Sequence, residues 1–363
     1  MTLGLCMIVK NESEVLRRAL DGVKNLCDEI VIVDTGSTDD TKQIAREYTD
    51  KVFDFPWCDD FSAARNFALG KITTDYWLWL DADDILSPRT ASAISKFMRA
   101  GANGADVIML PYVLSTDGRG KPTFSYYRER IMKTDGGFRW EGRVHEAVAP
   151  HGRIEKLPYP VLHAKPSGRS NGSRNLDIYR RAAARGDVFS PRETYYYARE
   201  LYFNGDEGGA RKEFERFLTM PGGFYVNKID ACVMLSRIYR QAGDSESALG
   251  FAAYSFIYGP PSGEACCELG ELYFDKGDYA TAAQWYGLAV RLKPDGKDGA
   301  FVDGERYGFI PLLQLTVCYD RMGEHKKAFR YHLRAERRNP NHPSVAHNRE
   351  YFARLGMYKQ RNT

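Results

Sequence analysis

The chain has no C-x-x-C pair among its seven cysteines, and their odd number argues against a disulfide framework or a zinc site. Reduced thiols in a cytoplasm are the expectation that remains. No apolar run approaches the ~20 residues that a membrane-crossing helix needs. Neither sign of charge dominates: 51 Lys and Arg stand against 48 Asp and Glu, a net charge of +3, too balanced to suggest a nucleic-acid partner. The opening MTLGLCMIVKNE has no basic leader or small-residue cleavage site and reads as a first strand. What is left, 363 residues with 43% hydrophobic and 27% charged content, suits a globular protein of two domains.

The stretch around which the chain is organised is YWLWLDADDILS, from Tyr76 to Ser87. An aromatic and aliphatic run reads as a buried strand, and it stops at Asp81, Asp83 and Asp84. Asp81 and Asp83 are two apart, so an extended segment points both carboxylates to one side. Two hard oxygen ligands there suit Mg²⁺ or Mn²⁺. The alternative is an acidic turn that caps the helix after Ser87, and Asp84 fits that role best.

Apolar strands at Leu3 to Val9, Glu29 to Val33, Lys51 to Phe55 and Tyr76 to Leu80 alternate with helices at Glu14 to Asn25, Thr41 to Tyr48 and Phe61 to Leu69. That alternation predicts βαβ units and a parallel sheet, with Asp34 and Asp81 on one rim at carboxyl strand ends. The Lys10-Asn11-Glu12 turn and Asp34 offer acceptors for a base and ribose. Arg65 offers a guanidinium for phosphate, or an ion pair with Asp59 or Asp60.

The ordered motifs CMIVKNE, IVIVDTGSTDDT, DFSAARNFAL and WLWLDADD resemble family 2 glycosyltransferases of the GT-A fold, over roughly residues 3–165. The resemblance implies a nucleotide-sugar donor such as a UDP-sugar, a divalent metal at the D-x-D, and inversion at the anomeric carbon. Carried over by position, Val9, Asn11, Glu12, Asp34, Arg65, Asp81 and Ala82 would face the donor, and Asp83 with Asp81 the metal. His163 resembles the late histidine that completes the metal site in many such enzymes.

Asp106 to Val113 reads as a strand whose Pro111 demotes it towards an edge, and Tyr126 to Met132 as a sheet edge. Between Gly136 and Glu146, glycines interleaved with Trp, Arg, His and Glu suggest an active-site loop. Sugar transfer with inversion needs a base for the acceptor's proton, and Glu141, His145 and Glu146 are at hand. Relatives that this chain resembles end the loop in a V-H-E pattern, which favours Glu146, with Glu141 second. Trp140, Arg143 and Tyr127 are candidates for acceptor contacts. Lys165, Arg169 and Arg174 are candidates for screening the leaving diphosphate.

From about Pro191, helices with recurring Ala, Gly and Tyr resemble tetratricopeptide repeats of ~34 residues. One unit holds Leu269, Gly270, Tyr273, Gly277, Ala282 and Tyr286, another Leu315, Tyr319, Gly323 and Ala328, and earlier ones Leu235, Tyr239 and Gly243, and Ala198, Gly205, Ala210 and Phe214. The polar stretch 295–307 reads as a loop. The expected organisation is a GT-A domain over 1–170, a linker helix over 171–190 and about four repeats over 191–355. Such arrays bind extended peptides or dimerise. The combination resembles bacterial enzymes that glycosylate peptides or proteins at Cys or Ser/Thr. A transferase for a saccharide or lipid-linked glycan, with repeats for a homodimer, and an inactive adaptor are the alternatives.

Overall fold

The computed structural model describes residues 1–116, 122–164, 172–293 and 303–358. Two compact units divide at Met1–Tyr196 and Tyr197–Thr363. The helix expected as a linker therefore falls within the first unit.

That unit opens with β1 (Leu3–Val9), α1 (Leu16–Asp21), β2 (Glu29–Asp34), α2 (Thr41–Arg46), β3 (Val52–Asp54), α3 (Phe61–Leu69) and β4 (Tyr76–Trp79). It continues through β5 (Asp84–Leu86), α4 (Pro88–Arg99), β6 (Val107–Thr116), β7 (Pro122–Lys133), β8 (Trp140–Glu141), β9 (Ala147–Val148), β10 (Ile154–Lys156), β11 (Val161–His163) and α5 (Arg174–Ala184). The order β3-β2-β1-β4-β7-β6-β11-β5 forms one sheet, with β10 added beside β6. β8 and β9 make a separate ribbon.

The first four strands are parallel, as the βαβ pattern predicts, and leave Val9 and Asp34 paired at the carboxyl rim. The two faces hold separate cores. Leu3, Leu5 and Met7 pack on one side, and Cys6, Trp77 and Trp79 on the other, because alternate residues of a strand face opposite ways.

Two expectations about edges are corrected. β7 lies inside the sheet, antiparallel to both β4 and β6. β6 is also interior, and Pro111 falls between Met109, where β10 ends, and Tyr112, where β11 begins. Among the described residues no strand pairs with β6 at Pro111 on that side, so the missing N–H costs no ladder bond there.

The second unit is helical. It contains α6 (Pro191–Phe203), whose residues up to Tyr196 belong to the first unit, then α7 (Glu207–Thr219), α8 (Tyr225–Gln241) and α9 (Ser245–Tyr254). α10 (Gly263–Asp275), α11 (Tyr279–Arg291), α12 (Phe309–Arg321), α13 (His325–Arg338) and α14 (Pro343–Arg354) follow. Gly205, Gly243, Gly277 and Gly323 all adopt left-handed backbone, with φ from 77° to 83°, and end the first helix of each pair. Asp206, Asp244 and Asp278 follow three of them and cap the second helix. A Cβ on Gly270 would lie 2.7 Å from the Tyr286 ring, so the absent side chain is what lets α10 and α11 close on each other.

The described part of the 295–307 insert is a 3₁₀ turn, Gly304–Tyr307, whose Arg306 meets Glu268 and Glu271. The remainder, 295–302, lies outside the described residues. Among the described residues, no helix is long and apolar enough to cross a membrane. All seven cysteines are free, and Cys58 alone is exposed. Burial pushes the thiols of Cys6, Cys232, Cys266 and Cys318 up to about 12.

Candidate active site

Asp60 starts α3 by accepting a hydrogen bond from the Ala63 N–H, which turns the helix so that Arg65 is buried. The Arg65 Nε donates to Glu146 at 2.6 Å, and its Nη2 donates to Asp81 at 2.7 Å. Its guanidinium lies 4.7 Å from the Trp140 ring and 5.2 Å from the Trp79 ring. The expected alternative, an ion pair with Asp59 or Asp60, does not form. Asp60 is the helix cap, and Asp59 accepts from the Nε and Nη2 of Arg181 and from the Trp57 indole N–H. One cation thus holds two carboxylates that are 65 residues apart in the chain.

The acidic segment departs from the extended reading. The Asp84 N–H donates to the Asp81 carbonyl at 3.0 Å, so the chain turns. Asp81 goes to Arg65, while Asp83 goes towards His163, 3.5 Å away. Asp84 is not the helix cap either. Ser87 has that role, accepting from the Thr90 N–H, and Pro88 follows at the first helical position. Asp84 instead begins β5, whose antiparallel register sets it opposite His163.

Oxygens of Asp83 and Asp84 and a ring nitrogen of His163 lie within 4.8 Å of one another. Asp84 is fully buried and pairs with Arg130, also fully buried, while its Oδ1 faces the His163 Nδ1 at 3.6 Å, beyond hydrogen-bond distance. A buried orphan carboxylate oxygen beside an aspartate and an imidazole suits a divalent cation. Asp81 stands outside this cluster.

Charge follows that geometry. Burial pushes the Asp83 carboxyl up, against the pull of His163. Burial works the same way on Asp84, but the Arg130 guanidinium and His163 hold it below the usual carboxylate range. The Asp84 carboxylate, 3.6 Å from Nδ1, raises the His163 imidazole above its ordinary value. Tyr112 adds a hydroxyl 2.9 Å from the same nitrogen.

On the β1–β2 side of the rim, Asp34 is buried. Its Oδ1 accepts from the Gly36 and Ser37 N–H groups, while Oδ2 is buried without a partner. Asn11, at φ 54°, accepts from the Thr38 N–H and donates its own N–H to Ser37. The Glu12 N–H goes to Thr41, and the Val9 carbonyl accepts from Thr35. These residues fasten two turns into one wall. Ala82 is buried in the turn between the carboxylates.

In the 136–146 loop, Trp140 is buried against Trp79, and Glu141 is exposed on the short β8 strand. Arg143, expected to face an acceptor, is bound instead to Asp187 and Glu193. The His145 ring stacks on Tyr196 at 4.4 Å, and its carbonyl accepts from Arg192. The Tyr127 ring lies under the Lys156 ammonium. Arg174 sits over the Phe61 ring, and Lys165 and Arg169 lie outside the described residues.

Sequence reasoning missed Tyr112, Arg130, Arg192 and Tyr196. Arg130 carried a readable signal, because Arg128 and Arg130 are alternate residues of a strand and share a face. Both stand over Trp79, at 5.0 Å and 3.8 Å.

Residues 5–153 match the glycosyl transferase family 2 model, and residues 263–295 match a tetratricopeptide repeat model. A TPR repeat-containing protein of Synechococcus elongatus is 27% identical over 80% of this chain and 76% of its own length. The SPbeta prophage-derived glycosyltransferase SunS of Bacillus subtilis is 27% identical over 66% of this chain and 59% of its own. The solved structure of S. aureus TarS 1-349 aligns with 84% of this chain and 98% of its own at a TM-score of 0.37 and 16% identity.

Proposed function

Starting from a glycosyltransferase that joins a family 2 domain to tetratricopeptide repeats, we propose that it transfers a sugar from a UDP-sugar to a peptide or protein, with inversion. The observation that carries this reading is the Arg65 bridge, which brings Glu146 to the carboxylates after β4. In the reaction, an acceptor hydroxyl or thiol forms the new bond to the anomeric carbon as the bond to the diphosphate breaks. Glu146 takes the acceptor's proton, and the nucleoside diphosphate leaves with its electron pair. A single displacement inverts the configuration.

Asp83, Asp84 and His163 would hold Mg²⁺ or Mn²⁺, which supplies charge neutralisation for the departing diphosphate. Asp34, whose buried Oδ2 has no hydrogen-bond partner, would accept hydrogen bonds from the base. Arg65 keeps Glu146 oriented, and the two indoles shield that bridge from water. The repeats would hold the polypeptide acceptor, on the general physics of helical arrays that bind extended peptides. A cytoplasmic setting agrees with seven free thiols.

The test is UDP release from UDP-sugars with Mn²⁺, together with mass spectrometry of peptides co-expressed with the full chain. A mass increase of one hexose or N-acetylhexosamine, lost in Asp83→Ala, is the expected result. Absence of turnover with every nucleotide sugar would overturn the enzyme reading. Transfer to free saccharides but to no peptide would overturn the acceptor.

A further inference from the structure

The residue before Glu146 is held in an unusual backbone conformation. His145 has φ 55°, in the left-handed region that L side chains avoid, and it is not a glycine. Left to local preference, a histidine occupies that region less than extended backbone by on the order of tenfold. Something must hold it there.

Among the described residues, contacts from Arg192 and Tyr196 do so. The Arg192 guanidinium donates to the His145 carbonyl through Nη2 at 2.9 Å and Nε at 3.3 Å. The Tyr196 ring stacks on the imidazole with centroids 4.4 Å apart and planes 20° apart. Arg192 also lies over that same tyrosine, 4.9 Å from its centroid, so clamp and stack brace each other. The preceding residues are fixed independently: Arg143 by Asp187 and Glu193, and the Val144 carbonyl by the Tyr179 hydroxyl. Immediately after His145, the chain delivers Glu146 to the Arg65 Nε.

We propose that Arg192 and Tyr196 are positioning residues, which hold His145 in the left-handed conformation and thereby set the Glu146 carboxylate on Arg65. The proposal rests on the reading of Glu146 as the base. Neither residue is assigned contact with substrate; both act through one backbone torsion. This function for the start of α6 is invisible in the loop itself, because the residues that hold its shape come about fifty positions later.

The mechanism by torsion supplies its own test, since glycine adopts φ near 55° without cost. In the full chain, Tyr196→Ala should lower kcat on the order of tenfold, with the donor KM unchanged. Adding His145→Gly to Tyr196→Ala should restore most of that kcat. Tyr196→Phe, which keeps the ring, should behave as the parent protein. A second readout needs no turnover: the Arg65 Nε–H resonance in ¹H–¹⁵N spectra, which reports the hydrogen bond to Glu146. It should weaken in Tyr196→Ala and return with His145→Gly.

Failure of glycine to restore both signals would overturn the proposal, as would a Tyr196→Ala protein that matches the parent in both. A parent protein that turns over no nucleotide sugar would overturn the proposed function instead. The Arg65 resonance would then still decide whether the torsion sets the carboxylate.

Discussion

The Nε of Arg65 lies 2.6 Å from a carboxylate oxygen of Glu146, and both side chains are about nine-tenths buried, at 8% and 11% exposure. An ion pair at that depth is weak evidence of net stability, but removing one partner strands the other charge. Arg65→Ala should therefore cost about 3 kcal/mol in urea denaturation of the full chain. Arg65→Lys keeps the charge but loses the fork that reaches Glu146 and Asp81 together, and it should abolish transfer while costing less stability.

Asp83 and Asp84 should separate by phenotype. Asp83→Asn removes a candidate ligand oxygen without leaving a buried cation alone. Mn²⁺ affinity, followed by electron paramagnetic resonance, should fall on the order of tenfold to a hundredfold, while the unfolding midpoint stays put. Asp84→Asn deprives the fully buried Arg130 of its counter-charge, so it should lose both metal affinity and about 3 kcal/mol of stability. Equal stability of the two variants would contradict this assignment.

Gly270→Ala should destabilise the repeat unit by about 1–3 kcal/mol, because the added methyl meets the buried Tyr286 ring. Replacing the ring at 286 by a smaller aliphatic side chain relieves the clash, so adding Tyr286→Leu should recover part of the loss. Circular dichroism melts of the single and double variants check the coupling.

The repeat unit should also lose stability in acid through His332. Its ring is buried and stacked on Phe352, with Nε2 2.6 Å from the Tyr358 hydroxyl. Burial pushes its pKa below the ordinary value, and nearby Glu336 and Arg349 pull in opposite directions. The unfolded chain then binds the proton more readily than the folded one. Stability is complete above the unfolded pKa of ~6.5 and falls as the pH drops through that value, levelling once the folded pKa is passed. Urea midpoints from pH 8 to pH 5 should show this slope in the parent protein and a shallower one in His332→Gln.

The sequence made the parallel half of the sheet legible because each strand there pairs with a neighbour set by a βαβ unit. β7 and β11 were harder. The pairing of β7 with β4 and of β11 with β6 and β5 joins residues about fifty or more positions apart, and only the pairing with β5 puts His163 opposite Asp84. The D-x-D stood out as a candidate, but the allocation of its acids was not legible. The turn sends Asp81 and Asp83 to different partners, whereas strand periodicity would keep them together. In the second unit the repeats were readable because Leu, Tyr, Gly and Ala recur at matching spacings in successive helix pairs. Nothing local in the V-H-E loop announced its dependence on Arg192 and Tyr196.

The distribution of the seven thiols has a practical side. Six are buried or half-buried, and Cys58 stands exposed two positions before the aspartate that caps α3, the helix of Arg65. The unmodified chain thus carries a natural attachment point for a maleimide fluorophore. A dye coupled there needs no engineered cysteine and would sit on the segment that leads into the Arg65 helix, where it would report changes in the capping turn of α3.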